Sequence, residues 1–183
     1  MSNNNFLPTD YEPPKGESSY MKFQTGVNKF RILSKPIIGW EDWENKKPIR
    51  FKMNEKPDKP IDPSRPIKHF WAMIVWDFDS ECIKILEITQ MTIQQAITSL
   101  TRDPEWGSPF GYNIKVERQG EDLNTKYTVI ASPPSKLTEN IKEALLNVPI
   151  NLEALYEGED PFSTDSAPLP DEPPTIESGE KPF

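Results

Sequence analysis

Flat rings and positive charges alternate along the middle of the chain. Trp40, Trp43, Phe51, Trp71, Trp76, Phe78, Trp106, Phe110 and Tyr112 lie close in sequence to Lys46, Lys47, Arg50, Lys52, Lys68, Lys115 and Arg118. A cation answers a phosphate, and a ring stacks on a nucleobase for roughly 1–3 kcal/mol per base. Single strands of nucleic acid ask for both at once, without a sequence code, because every base has a π-face. A ring also fills a core. In Phe70–Trp76 one face of a strand must be packed, which takes either Phe70 and Trp76 or Trp71. Trp40, Trp43 and Phe51 are better placed to stack, since they flank Gly39, acids and lysines. The pattern therefore assigns base stacking to Trp40, Trp43, Phe51, Trp71 and Tyr112. It assigns phosphate contacts to Lys46, Lys47, Arg50, Lys52, Lys115 and Arg118.

Other chemistries find less support. Asp77, Asp79 and Glu81 could be a metal-binding acidic cluster, but they sit between two apolar runs, where Asp and Ser suit a hairpin turn. One cysteine, Cys82, and one histidine, His69, allow neither a disulfide framework nor a Cys/His zinc site. There is no glycine-rich phosphate loop, and no Ser/His/Asp set can be assembled around His69, which reads as a surface or strand-edge residue. No catalytic residue, metal or cofactor is expected, and the chain is expected not to be an enzyme.

The elements that must carry these side chains follow from hydrophobic periodicity. Tyr20 to Ile38 reads as a strand pair or one long bent strand, with Gly26 and Asn28 marking a turn or bulge. Phe70–Trp76 and Cys82–Ile88 read as the two strands of a hairpin with its turn at Asp77 to Ser80. Thr92 with Gln95 looks like a capping box for a helix using Ile93, Ala96, Ile97 and Leu100, stopped at Asp103-Pro104. Tyr112–Arg118 and Lys126–Ile130 make a second hairpin, and a last helix starts near Thr138 with Ile141, Ala144, Leu145 and Val148. The expected class is mainly β with helices (α+β). Strand, helix and strand units in this order fit an OB-type five-stranded barrel with an inserted helix and a C-terminal helix, although order alone leaves other α+β folds open.

The chain of 183 residues has a net charge of -8 and 20 prolines. From Glu157 to Phe183 there are eight acids and one base, so residues 1–156 hold only -1. That segment also has six prolines and few aliphatic residues, too little apolar surface to offset its ordering entropy. Three regions are expected: an N-terminal arm over 1–19, a barrel over 20–156, and a disordered acidic tail over 157–183. The tail closes on Pro182-Phe183, a ring beside a terminal carboxylate that a partner pocket could hold. It could also fold back on the protein's own basic groove and compete with phosphate. Between Lys46 and Lys68, eight bases face three acids, which is either a groove for phosphates or a solvated Pro-rich loop. The longest apolar runs are too short to span a bilayer, and no basic-then-apolar stretch opens the chain.

Together these residues resemble phage-encoded single-stranded DNA-binding proteins used in replication. The likeness runs through Phe6-Leu7-Pro8, Asp10-Tyr11-Glu12, Tyr20-Met21-Lys22-Phe23, Asn28-Lys29-Phe30-Arg31-Ile32-Leu33 and Pro36-Ile37-Ile38-Gly39-Trp40. It continues through Lys47-Pro48-Ile49-Arg50, His69-Phe70-Trp71-Ala72, Ile85-Leu86-Glu87-Ile88-Thr89-Gln90, Trp106-Gly107-Ser108-Pro109 and Thr125-Lys126-Tyr127. The tail separately looks like those of bacterial and phage single-stranded DNA-binding proteins, which end in acids and then Phe. The resemblance implies an OB-type barrel without catalysis that binds single-stranded DNA regardless of sequence. It implies a role in phage replication, recombination or repair in the cytoplasm of an infected bacterium. Polymerase, helicase/primase or recombination factors would be met through the tail, and copies of the chain could associate. The zinc site of some members has no counterpart here. Two other readings stay open: a duplex-tolerant, strand-annealing protein, and a protein-interaction adaptor whose body does not touch DNA.

Overall fold

The strand from Lys68 to Asp77 organises the molecule, and its unbroken apolar run has a simple cause: both of its faces are covered. The computed structural model describes residues 19–162. Eight strands form one sheet: β1 (Tyr20–Met21), β2 (Gly26–Ile32), β3 (Ile37–Glu44), β4 (Lys47–Lys52), β5 (Lys68–Asp77), β6 (Cys82–Ile88), β7 (Asn113–Gln119) and β8 (Lys126–Ala131). Helix α1 (Met91–Arg102) lies between β6 and β7, and α2 (Glu139–Asn147) follows β8. The strands run β1-β6-β5-β2-β7-β8, with β3 and then β4 branching from β5. All neighbours are antiparallel except β1 and β6.

Alternation along β5 divides the core. Met73 and Val75 face inward with Phe30 and Ile32 of β2, Leu86 and Ile88 of β6, and Ile114 and Val116 of β7; Ile93 and Ile97 of α1 close this interior. Phe70, Ala72 and Trp76 face outward, where Ile141 of α2 and Leu155 of a 3-10 turn, Leu152–Glu157, cover them. Fully burying such a side chain stabilises the fold by roughly 1.5–3 kcal/mol, so this second layer is part of the domain's stability.

The class is α+β and the arrangement is OB-like, a barrel-type wrap around an apolar interior with a helix across it. The sheet has eight strands rather than the five expected, and it does not close. Among the described residues no ladder joins β1 to β8; Arg118 of β7 donates a hydrogen bond of 2.9 Å to the Phe23 carbonyl across the gap. Tyr20 to Ile38 is neither a strand pair nor one long strand but three strands: β1, β2 and the start of β3. Ile32 faces Val75 and Ile37 faces Ala72, so four residues between these pairs oppose two on β5, and Ser34 to Pro36 bulge at the bend.

Two expectations need correction. The helix begins at Met91, not at a capping box on Thr92: the Ile93 and Gln94 amides bond back to the Gln90 carbonyl. Thr138 does cap α2, accepting from the Ile141 amide at 3.4 Å. The boundary expected at Glu157 falls inside the 3-10 turn, and the chain stays packed to Phe162, whose ring meets Tyr20 edge-on at 5.9 Å. The arm before Ser19 and the tail after Phe162, with Pro182 and Phe183, lie outside the described residues.

Candidate nucleic-acid interface

The interface is built on a hairpin that the basic stretch conceals in sequence. Asn45 and Lys46 both have positive φ, 50° and 64°, which is the left-handed two-residue turn that suits the twist of a hairpin. β3 and β4 meet through it over six residue pairs, from Glu44 with Lys47 to Gly39 with Lys52. Gly39 is needed there, because a Cβ would lie 2.0 Å from the Phe51 carbonyl oxygen. The segment 53–67 then crosses the hairpin and is tied down by Asp42, which accepts from the Trp43 and Ile61 amides at 2.8 and 2.9 Å.

Register decides which side chains share a face, since residues opposite each other in a ladder point the same way. Trp40 is opposite Phe51 on one side and His69 on the other, and Ile38 is opposite Trp71. Ile38, Trp40, Phe51, His69 and Trp71 therefore stand on one face, which continues into the barrel interior, where part of Trp71 packs. Lys47 shares it by parity, with Lys46 exposed at the tip.

His69 sits at the centre of this face. Its Nδ1 lies 2.8 Å from the Gly39 carbonyl, which can only accept, so Nδ1 carries the hydrogen. Nε2 is then free to accept from the Trp71 indole N–H at 3.3 Å. The Trp40 ring lies 5.2 Å from the imidazole, and its own N–H donates to the Met53 carbonyl at 3.1 Å. Both indole donors are thus used within the protein, and what the rings offer a ligand is their π-surface. Lys56 rests 4.2 Å above the Trp40 ring.

Several expected contacts do not belong to this face. Trp43, three positions from Trp40, points the other way, where the Arg65 guanidinium lies 4.9 Å over its ring. Arg50 and Lys52 share that opposite face. Arg50 is no phosphate ligand: its side chain is 10% exposed and is held by Glu41 at 3.4 Å and by Glu87. Burial, and then the adjoining Glu87 carboxyl, push the Glu41 pKa up to about 8. Lys52 lies 5.7 Å from the Tyr156 ring. Tyr112 is no stacking platform either, being 1% exposed in the core with its hydroxyl donating to the Gly107 carbonyl. Lys115 faces out of the barrel wall opposite Lys29 and Ile130, and Arg118 is committed to Phe23. Asp77 belongs to a turn: it accepts from the Asp79 amide and the Ser80 hydroxyl and pairs with Lys84 at 3.1 Å.

Sequence reasoning missed His69, Lys56 and Arg65. The signal for His69 was its spacing of two from Trp71, which in a strand puts both on one face. No family model matches the chain, and no solved structure matches it. A curated relative does: the chain is similar to a "Probable ssDNA-binding protein" of Escherichia phage T5, 22% identical over 139 aligned positions, covering 60% of this chain and 53% of that protein. The chain spans about half the length of the relative it matches.

Proposed function

We propose that this protein binds single-stranded DNA without catalysing a reaction, laying bases across Trp40, Phe51 and Trp71 while Lys46, Lys47 and Lys56 meet phosphates. The observation that carries the reading is the Trp40–His69–Trp71 array, with both indole N–H groups occupied internally and the rings left for stacking. Stacking of that kind is indifferent to sequence. A base arriving on Trp40 displaces Lys56 from the ring, and a displaced ammonium beside a strand has a phosphate to find. The phage relative, a probable ssDNA-binding protein, agrees with this ligand. The role that follows is protection of single strands in phage replication, recombination or repair, in the cytoplasm of an infected bacterium. The acidic tail ending at Pro182-Phe183 would regulate access to the face and recruit replication proteins.

Tryptophan fluorescence during titration with oligo-dT tests the reading, with a duplex of equal length as competitor. Quenching should saturate, weaken steeply with salt, and resist the duplex. Trp40→Ala should weaken binding by roughly 1–3 kcal/mol, about 5- to 150-fold. Equal affinity for duplex, or a Trp40→Ala variant that binds as wild type does, would overturn it.

A further inference from the structure

A cavity lies on the far side of the same hairpin. It has a volume of about 320 Å³, and Glu41, Trp43, Ser64, Arg65, Lys68 and Thr89 line it. Register puts Trp43 and Glu41 of β3 and Lys68 of β5 on the face opposite Trp40. Arg65 is presented by a tight turn: its amide donates to the Asp62 carbonyl at 3.0 Å, and Asp62 also accepts from the Ser64 amide and hydroxyl. The cavity therefore combines a guanidinium already stacked on an indole, a lysine and the Thr89 hydroxyl, the Ser64 hydroxyl being spent on Asp62. That is the donor set of an anion site in which Arg supplies planar, paired donors and Lys a point charge.

We propose that this cavity is a second anchoring site for the strand, taking a phosphate of single-stranded nucleic acid on Arg65 and Lys68. The inference rests on the stacking face proposed above and extends it: the strand crosses Trp40, rounds the hairpin tip and enters the cavity beside Trp43. Three observations favour this path. Only the two-residue turn at Asn45 and Lys46 separates the faces, and Trp43 lies one pair from the end of the ladder. The cations at that turn, Lys46 and Lys47, are exposed and line the way round. The acid in the cavity does not oppose an anion, because Glu41 is buried and holds its proton near neutral pH.

The test compares oligo-dT lengths of about 4 and about 16 nucleotides, the limits of single OB-fold site sizes. The short oligonucleotide occupies the Trp40 face alone, and the long one reaches both. In full-length protein, Arg65→Ala/Lys68→Ala should weaken the long oligonucleotide about tenfold, leave the short one within about twofold, and flatten the salt dependence of log K by about 1.4 for two lost contacts. Lys68→Gln alone leaves the Arg65–Trp43 stack in place and should flatten the slope by about 0.7. Lys22→Ala/Lys126→Ala, removing equal charge elsewhere, should show no dependence on length. An equal loss on both lengths, or no loss on either, overturns the second site while leaving the first. If Trp40→Ala changes neither length, or the wild type binds neither, the stacking reading itself fails and the second site with it.

Discussion

His69 Nε2 accepts the indole N–H of Trp71 at 3.3 Å, and the Gly39 carbonyl 2.8 Å from Nδ1 holds the imidazole in the tautomer that can do so. One backbone carbonyl of β3 thus orients an indole of β5 through a ring between them. Removing the imidazole leaves a half-buried N–H without its partner, which costs about 1–3 kcal/mol. His69→Ala should lower stability by that order and shift the tryptophan emission maximum. It should also weaken oligo-dT binding several-fold, because Trp71 loses its fixed orientation. His69→Gln keeps a side-chain acceptor and should recover part of both losses. Equal binding by the Ala and Gln variants would show that the imidazole acts only as packing.

Glu41 makes stability depend on pH. Its carboxyl is raised from 4.5 to about 8 by burial and by Glu87. Between those values the folded protein keeps a proton that the unfolded chain has released, so unfolding becomes easier as pH rises. The contribution is fully present below 4.5, shrinks through neutrality, and is lost once pH passes about 8. Glu41→Gln removes the titration while keeping a neutral group beside Arg50. Its melting temperature should match the wild type at about pH 4.5 and below, exceed it increasingly up to about pH 8, and hold that lead above it. A constant offset between the two melting profiles across that range would refute the assignment.

The parts of the fold that were legible in sequence are those where one physical demand acts alone. β5, β6 and β7 announce themselves because most of their apolar positions serve packing, and Thr138 because a cap needs one hydroxyl. β4 was hidden, since Lys47, Arg50 and Lys52 look solvated although the backbone beneath them is paired. Charge also misled at Arg50, which a sequence shows as a free cation and the fold places between the carboxyl groups of Glu41 and Glu87. Tyr112 and Trp71 are both rings in strand-like sequence. Which one is sealed depends on where the helix ends and the 3-10 turn at Pro109–Gly111 begins, a tertiary matter. The separation of Trp40 from Trp43, by contrast, was available from counting: an odd spacing within a strand puts two rings on opposite faces.

Lys46 holds two roles that a single substitution can separate. Its φ of 64° is a conformation that side chains resist and glycine accepts, and the Asn45-Lys46 turn would become Asn-Gly, the preferred pair for this hairpin. Lys46→Gly should therefore stabilise the protein by up to about 1 kcal/mol, the strain relieved being partly offset by a freer unfolded chain. For a domain of this size that is a rise of about 2–4 °C in melting temperature. The same change removes an exposed cation from the hairpin tip. Binding of long oligo-dT should weaken, with the slope of log K against log salt shallower by about 0.7. Calorimetry and a salt titration on one preparation read both effects. A variant that melts higher yet binds with an unchanged slope would remove Lys46 from the path of the strand, whereas one that melts lower would mean that its side chain, not its backbone, holds the turn.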